Sequence, residues 1–370
     1  QRKSDGRWVA SFRLPNGGRK YVYRESKAEA RDALKRAQRE MEQGTLITTR
    51  DQTLRDHMEQ WLKVKRLELK DGTYCYYKYN TDVHILPRLG HIKLQKLTAE
   101  DIQHFYTDLL KELSPNTVRS TIHTVLRSAL EAAVKRKKIA SNPCQDVTLP
   151  RPEKKDIAFL TQEQATRLLE AAKGRTIEPL IVLALATGMR RGEMLALEWP
   201  DIDFERKSVS VCKSLSYHDA DGSGKKYKVE TPKTASSKRT IPLPDFAIEA
   251  LQQHRHVQRE QRARAPTWDQ TLLVFTNSTG SYSWYKIVDE QFKSLLQAAG
   301  LPRMRFHDLR HSAATILLAL GVNAKVIQDR LGHSRIATTL DTYSHVTKSM
   351  QEDATSKLDA HFHRGAGTQP

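Results

Sequence analysis

The residues richest in chemistry lie between positions 305 and 345, in RFHDLRHSAATILLALGVNAKVIQDRLGHSRIATTLDTYSH. His307 and Arg310 sit three apart at the start of an apolar run of Ala313, Ala314, Ile316, Leu317 and Leu320. Side chains three apart share a helix face. Gly321 stands where a helix-closing glycine belongs. A second short helix is expected over 324–331 and ends at Gly332. His333 follows, then a polar segment leading to Tyr343. An imidazole, a guanidinium, a second imidazole and a phenol are thus brought to one end of a small helical array. The guanidinium suits a phosphate, because its planar fork pairs two oxygens at once. A phenol beside it is a candidate nucleophile. Taken singly, each residue also has an ordinary reading: HDLRH as a polar helix start, Tyr343 as a half-buried aromatic.

A second set lies upstream. An apolar helix over 178–185 ends at Thr187-Gly188 and leads into TGMRRGEMLALEWPDID. Arg190 lies just past the glycine. Glu193, one helical turn later, can orient its guanidinium, or the two can form a plain surface pair. Residues 206–243 read as a three-stranded sheet with strands at 208–211, 226–229 and 239–243. Thr161 with Gln164 makes a capping box that opens this half of the chain. A charged helix is expected from Asp245 to about Arg264, a short strand over 272–275, and a helix over 284–299. Asp219, Asp221, Ser223, Gly224 and Glu230 nearly spell a calcium loop. Its flanks read as strands, and Lys225 and Lys226 would repel the ion, so a hairpin turn is the better reading. No metal site, P-loop or cofactor site is expected.

The whole chain has 370 residues, enough for two or three domains. Its net charge of +18, from 61 Lys+Arg against 43 Asp+Glu, points to a polyanionic partner, with nucleic acid the default. Cys75, Cys144 and Cys212 lie far apart and make no disulfide framework, which fits a reducing cytosol. No apolar run approaches membrane-spanning length. The chain begins at Gln1 rather than Met, which points to missing native residues.

Residues 1–50 read as a separate module. Trp8, Ala10, Phe12 and Leu14 alternate with Val9, Ser11 and Arg13 at strand period. Pro15-Asn16-Gly17-Gly18 is turn chemistry, and Ser26 with Glu29 opens a helix that should reach about Gln43. Arg7, Arg13, Arg19, Lys20 and Arg24 stud the hairpin. Such a sheet can enter a DNA major groove or remain a solvated basic hairpin. After a polar linker over 45–52, residues 53–147 read as helical. Pro87 and Gly90 should break the second helix, and Ser114-Pro115 should start the last long one. Residues 150–157, PRPEKKDI, read as a linker.

The combination HDLRHSAAT, LGHS and TTLDTYSHV closely resembles the carboxy-terminal signature of tyrosine recombinases, the phage integrase family. The ten-residue step from His333 to Tyr343 resembles the phage and conjugative-transposon members. The resemblance implies a multidomain α+β protein. Its parts would be an arm-site-binding sheet-plus-helix domain (1–50), an all-helical core-binding clamp domain (53–147), and a mainly helical catalytic domain with a small antiparallel sheet (158–370) ending in a tail. The family pattern places the catalytic set at Arg190, Lys233, His307, Arg310, His333 and Tyr343, with Glu193 supporting. Lys238 is a near competitor of Lys233. Implied DNA contacts are Arg7, Arg13, Arg19 and Lys20 in the first domain. In the second they are Tyr74, Tyr76, Tyr77, Lys78, Asn116, Thr117, Arg119 and Ser120, although the tyrosines can equally pack the core.

The resemblance also implies a reaction. Tyr343 would attack a DNA phosphorus, expel a 5′-oxygen and leave a 3′-phosphotyrosyl bond, without metal or ATP. Two arginines would hold the phosphoryl oxygens. Lys233 would protonate the leaving group, and His307 would take or help to take the phenol proton. The implied partners are double-stranded DNA with core-type and arm-type attachment sites, a homotetramer on DNA, a host DNA-bending protein and an excision factor, in the bacterial cytoplasm. A Xer-like resolvase, a type IB topoisomerase and a non-catalytic DNA-binding regulator are the alternatives. Met350, Ala354, Leu358 and Phe362 recur every four residues and suggest an amphipathic tail helix, exchanged between protomers in the family.

Overall fold

The structure, a computed structural model, describes residues 6–13, 19–42, 52–153, 158–218, 226–230, 238–332 and 355. Lys233, His333, Tyr343, most of the tail, the turn at 15–18 and the calcium-like loop at 219–225 lie outside the described residues. The chain divides into two compact units, the described residues up to 153 and those from 158.

The first unit opens with β1 (Trp8–Arg13) and β2 (Arg19–Arg24), paired antiparallel with Trp8 opposite Arg24. Phe12 turns inward as the alternation predicts and packs with Leu34 and Ala37 of α1 (Lys27–Glu42). Ser26 caps α1 by accepting from the Glu29 N–H at 3.2 Å. A separate core begins with α2 (Leu54–Glu68), whose Thr53–Asp56 capping box satisfies two end groups.

Next comes α3 (Asp71–Asn80), which runs through a π-turn (Thr81–Ile85) into α4 (Leu86–Leu89). Pro87 therefore does not break the helix where the sequence suggested. The Leu86 N–H reaches back five residues to the Thr81 carbonyl, and this wider turn lets the proline be absorbed just downstream. The Thr98–Asp101 box starts α5 (Ala99–Leu109). Ser114 caps α6 (Pro115–Thr117), which passes through a second π-turn (Val118–Ile122) into α7 (His123–Lys135). The two π-turns pack on each other. Trp61, Ile102, Tyr106, Ile122 and Leu126 are among the fully buried side chains of this core.

The second unit starts at α8 (Gln162–Ala172), opened by the Thr161–Gln164 capping box. The apolar α9 (Glu178–Thr187) is buried almost all round. It ends at Gly188, whose φ of +64° is left-handed and favours glycine. A single turn, α10 (Arg191–Leu195), follows. The three-stranded sheet differs from expectation. It is β3 (Ile202–Asp203), β4 (Ser208–Val211) and a strand at Arg239–Pro242, in the order given. Lys226–Glu230 pairs instead with Ser214–His218, which the sequence reading left out. These are β5 (Ser214–His218) and β6 (Lys226–Glu230), and the Arg239–Pro242 strand is β7. The reason is visible in the register: Leu215 faces Val229, and Tyr217 faces Tyr227 with ring centroids 4.7 Å apart. The calcium-like loop thus joins two strands, not two helices.

Next is α11 (Asp245–Arg264), with the predicted bounds, and then α12 (Tyr285–Ala298). Residues 272–275 form no strand. Leu273 makes one bridge to Glu198, and the Val274 N–H donates to Leu197. The unit's last described helices are α13 (Asp308–Ala319) and α14 (Ala324–Leu331). Among the described residues no helix is long and apolar enough to cross a membrane.

Candidate active site

Three arginines from three distant parts of the chain meet at the C-terminal end of α14. A helix end leaves carbonyls without intrahelical partners, and its dipole favours cations there. Arg239 Nε donates to the Arg330 carbonyl at 2.7 Å. Arg310 Nη2 donates to the Leu331 carbonyl at 2.8 Å. Arg190 Nη2 donates to the Gly332 carbonyl at 3.4 Å. Three successive carbonyls thus hold three different guanidiniums. Arg310 is 4% exposed and also donates from Nη1 to the Gly188 carbonyl at 2.7 Å. The left-handed turn at Gly188 therefore serves two ends: it closes α9 and aims an oxygen at Arg310. A Cβ there would collide with the Leu331 side chain.

Arg190 caps α10. Glu193 reaches back to its backbone N–H at 2.9 Å and to its Nη1 at 2.8 Å. Glu193 is 3% exposed and receives a second cation, Arg239 Nη2, at 2.9 Å. Burial works against the charged form of Glu193. The hydrogen bond and charge of Arg239, with those of Arg190, outweigh it and hold the carboxyl below its ordinary range. Gly192 allows α10 to lie against β5, since a Cβ there would stand 2.6 Å from the Leu215 carbonyl. The neighbouring Arg191 faces away from this cluster. It pairs with Asp289 at 2.5 Å and lies 4.3 Å over the Tyr285 ring.

His307 directly precedes α13, and Asp308 fixes that corner by accepting from the Arg305 N–H at 2.9 Å. The His307 and His311 rings meet edge to face at 5.6 Å. Burial of part of the ring, with His311 and Arg310 nearby, pushes the His307 pKa down to about 4. The imidazole is therefore neutral at pH 7. A neutral imidazole whose conjugate acid has so low a pKa is a weak base, but it can still donate or accept a hydrogen bond.

Lys238 is described and exposed. The sequence reading missed Arg239 and Arg330. Arg330 Nη2 donates to the Ala186 carbonyl at 2.7 Å and the Pro242 carbonyl at 3.0 Å. Arginine beside Lys238 in a strand gave no periodic signal, and the Arg330 carbonyl it bonds lies 91 residues away.

Of the first unit's candidates, Arg7, Arg13 and Arg19 are exposed, and Lys20 lies in β2. Tyr77 stacks on Trp61 at 5.7 Å, and Tyr74 packs against the same core beneath Arg66. These two rings are thus already engaged in packing. Tyr76 is 47% exposed and bonds Thr121. Lys78 pairs with Asp82 at 2.5 Å. Asn116 donates to the Glu153 carbonyl at 2.8 Å, Arg119 to that of Pro150 at 3.4 Å, and Ser120 to that of Asn116 at 2.5 Å. Thr117 bonds Ser114 at 2.9 Å.

Residues 158–350, more than half of the chain, match the model of the phage integrase family. The chain belongs to the phage integrase family. Residues 53–110 match the phage integrase N-terminal SAM-like domain. A tyrosine recombinase XerC-like protein of Caldanaerobacter subterraneus subsp. tengcongensis is 32% identical over 93% of this chain and 92% of its own. The Tn1549 transposon integrase in complex with transposon right end DNA has a similar fold, with TM-score 0.70 and 24% identity over 83% of this chain and 99% of that one. A lambda integrase tetramer bound to a Holliday junction gives 0.62 and 17% over 92% and 96%. The recombinase is thus a site-specific DNA strand transferase that serves integration and excision of mobile elements.

Two outcomes follow for the recombinase. Glu193→Ala leaves the buried Arg239 without its carboxylate and should cost about 3–5 kcal/mol in urea unfolding at pH 7. The wild-type contribution of Glu193 is present above its unfolded pKa and is lost as pH falls through the lower folded value, so the gap between the two proteins should narrow in acid. NMR titration of His307 should give a midpoint near 4 without DNA. Because this pKa is lowered, the neutral ring's contribution to stability is complete above about 6.5 and is lost as pH falls towards 4. A bound phosphate should move the midpoint up.

Proposed function

We propose that this recombinase cleaves one DNA strand by attack of Tyr343 on the scissile phosphorus, forming a 3′-phosphotyrosyl bond and releasing a 5′-hydroxyl. Arg190 and Arg310 bind the non-bridging oxygens, Lys233 protonates the leaving oxygen, His307 assists at the phenol or phosphate, and His333 hydrogen-bonds the phosphate. Glu193 orients Arg190. One observation carries this reading. Arg190 and Arg310 converge on adjacent carbonyls, those of Gly332 and Leu331, the two residues before His333. Two guanidiniums fixed side by side are preorganised for the charge that builds on a phosphoryl group in its transition state.

In this reading residues 53–147 form the half-clamp on core-type DNA, and 158–370 the catalytic domain with its tail. Residues 1–50 bind arm-type sites; the exposed Arg7, Arg13 and Arg19 support that role. Recombination uses a homotetramer on two duplexes, with tail exchange between protomers, a host bending protein and an excision factor. The solved lambda integrase tetramer on a Holliday junction supports the assembly. The working site is nucleoid DNA in the cytoplasm of a bacterial host.

A nicked suicide duplex tests the chemistry. Tyr343→Phe should keep DNA binding and form no covalent adduct; an adduct surviving in that variant would assign the nucleophile elsewhere. Lys233→Ala should cleave normal DNA slowly, by about 10²–10⁴-fold. A substrate with sulfur at the 5′-bridging position has a leaving group that needs no proton and should restore its rate. If Lys238→Ala is the variant rescued, the acid is Lys238.

A further inference from the structure

Arg239 opens β7, and its side chain is 7% exposed. Among the described residues its guanidinium meets two targets. Nε holds the Arg330 carbonyl at 2.7 Å, while Nη2 and Nη1 reach Glu193 Oε2 and Oε1 at 2.9 and 3.4 Å. The same carboxylate receives the Arg190 backbone N–H and Nη1. One buried carboxylate therefore faces two guanidiniums, and the balance of charge decides what Arg190 can do. Arg190 with Glu193 alone is a neutral pair, which draws an anion far less than a net cation does. Adding Arg239 makes the trio a net cation. Arg239 and Glu193 are buried, whereas the Arg190 side chain is 40% exposed. The excess positive charge therefore comes to the surface at Arg190.

We propose that Arg239 is a positioning residue for strand cleavage: it neutralises Glu193, so that Arg190 meets the scissile phosphate with its charge undivided. This rests on the reading of Arg190 as a phosphate ligand. The same side chain has a second effect. It straps β7 to α14, and Arg330 completes the strap in the other direction through the Pro242 carbonyl at 3.0 Å. In sequence, β7 follows the Lys233 segment, and α14 precedes His333. Arg239 thus sets the registry between β7 and α14, the described elements next in sequence to Lys233 and His333.

The test measures single-turnover adduct formation by the full chain on a nicked suicide duplex at saturating DNA. Two substrates are compared: a normal phosphodiester, and a methylphosphonate whose scissile group carries no negative charge. On the phosphodiester, Arg239→Gln should be about 100-fold slower than the parent and Arg239→Lys about tenfold slower, as for a misplaced catalytic group, with duplex Kd within about threefold. On the methylphosphonate the ground-state charge is gone and less charge develops in the transition state, so the charge of Arg190 matters less, and the Arg239→Gln deficit should shrink to about tenfold or less. The double variant Glu193→Gln/Arg239→Gln removes both buried charges, restores a net cation at Arg190, and should exceed Arg239→Gln by about tenfold on the phosphodiester.

Unchanged cleavage in Arg239→Gln overturns the proposal. So does an equal deficit on both substrates with no recovery in the double variant, which is the pattern of lost packing alone. If Arg239→Gln does not fold, the lysine and double variants carry the same comparison. Arg190→Ala is run beside them. If it cleaves the phosphodiester as fast as the parent, the assignment of Arg190 fails, whatever Arg239 does.

Discussion

The site depends on the backbone carbonyls at the end of one short helix. The last carbonyls of α14 have no partners within the helix, and they sit at its negative pole. The fold supplies guanidiniums as their partners. Arg239, Arg310 and Arg190 take the carbonyls of residues 330, 331 and 332 in turn. Each arginine comes from a different element, so the helix end acts as a jig that registers β7, α13 and the start of α10. The negative pole of the helix favours cations, and the three guanidiniums gathered there form one positively charged cluster.

Using the backbone in this way limits the cost of gathering like charges. Guanidiniums close together repel, and burying them adds a desolvation penalty. Among the described residues a single carboxylate, Glu193, offsets two of them, and neutral carbonyl dipoles accept from further donors of all three. More carboxylates would hold the arginines more firmly but cancel the positive field of the cluster. One carboxylate and several carbonyls keep the arginines in place while the cluster stays positive. Gly188 and Gly192 make the arrangement sterically possible, the first by its left-handed turn and the second by letting α10 close on β5.

How far the sequence could be read follows from the range of the interactions. Local signals were legible. The bounds of α11 and α14 follow from periodicity and end residues, and the caps at Ser26, Thr161 and Ser114 follow from local side-chain signals. Arg190, Glu193, His307 and Arg310 stood out because their partners are near in sequence or their order matches a family. Strand pairing was harder, because Lys226–Glu230 alternates in a way that suits either neighbour. Only the facing of Leu215 with Val229 and Tyr217 with Tyr227 decides it. Arg239 and Arg330 were invisible because what they do is bond to carbonyls far along the chain, and a carbonyl has no letter in a sequence. Tyr74 and Tyr77 fitted DNA contact and core packing equally well in the sequence, and their rings pack on the helical core.

The two π-turns of the first unit have a consequence for comparing this chain with its relatives. Each π-turn holds one residue more than an α-helical turn, and one residue is about 100° of rotation about the helix axis. Upstream of Thr81–Ile85, Tyr74 and Tyr77 lie against the core; downstream, Leu86 and Leu89 do. No single helical phase puts both sets inward. A relative one residue shorter in this stretch would thus differ in helical phase rather than in loop length. Straightening the helix would swing its tyrosine-bearing half out of register with its core-facing half. Aligning such relatives by sequence alone, with the gap moved to the nearest loop, would pair buried positions with exposed ones along the whole of α3.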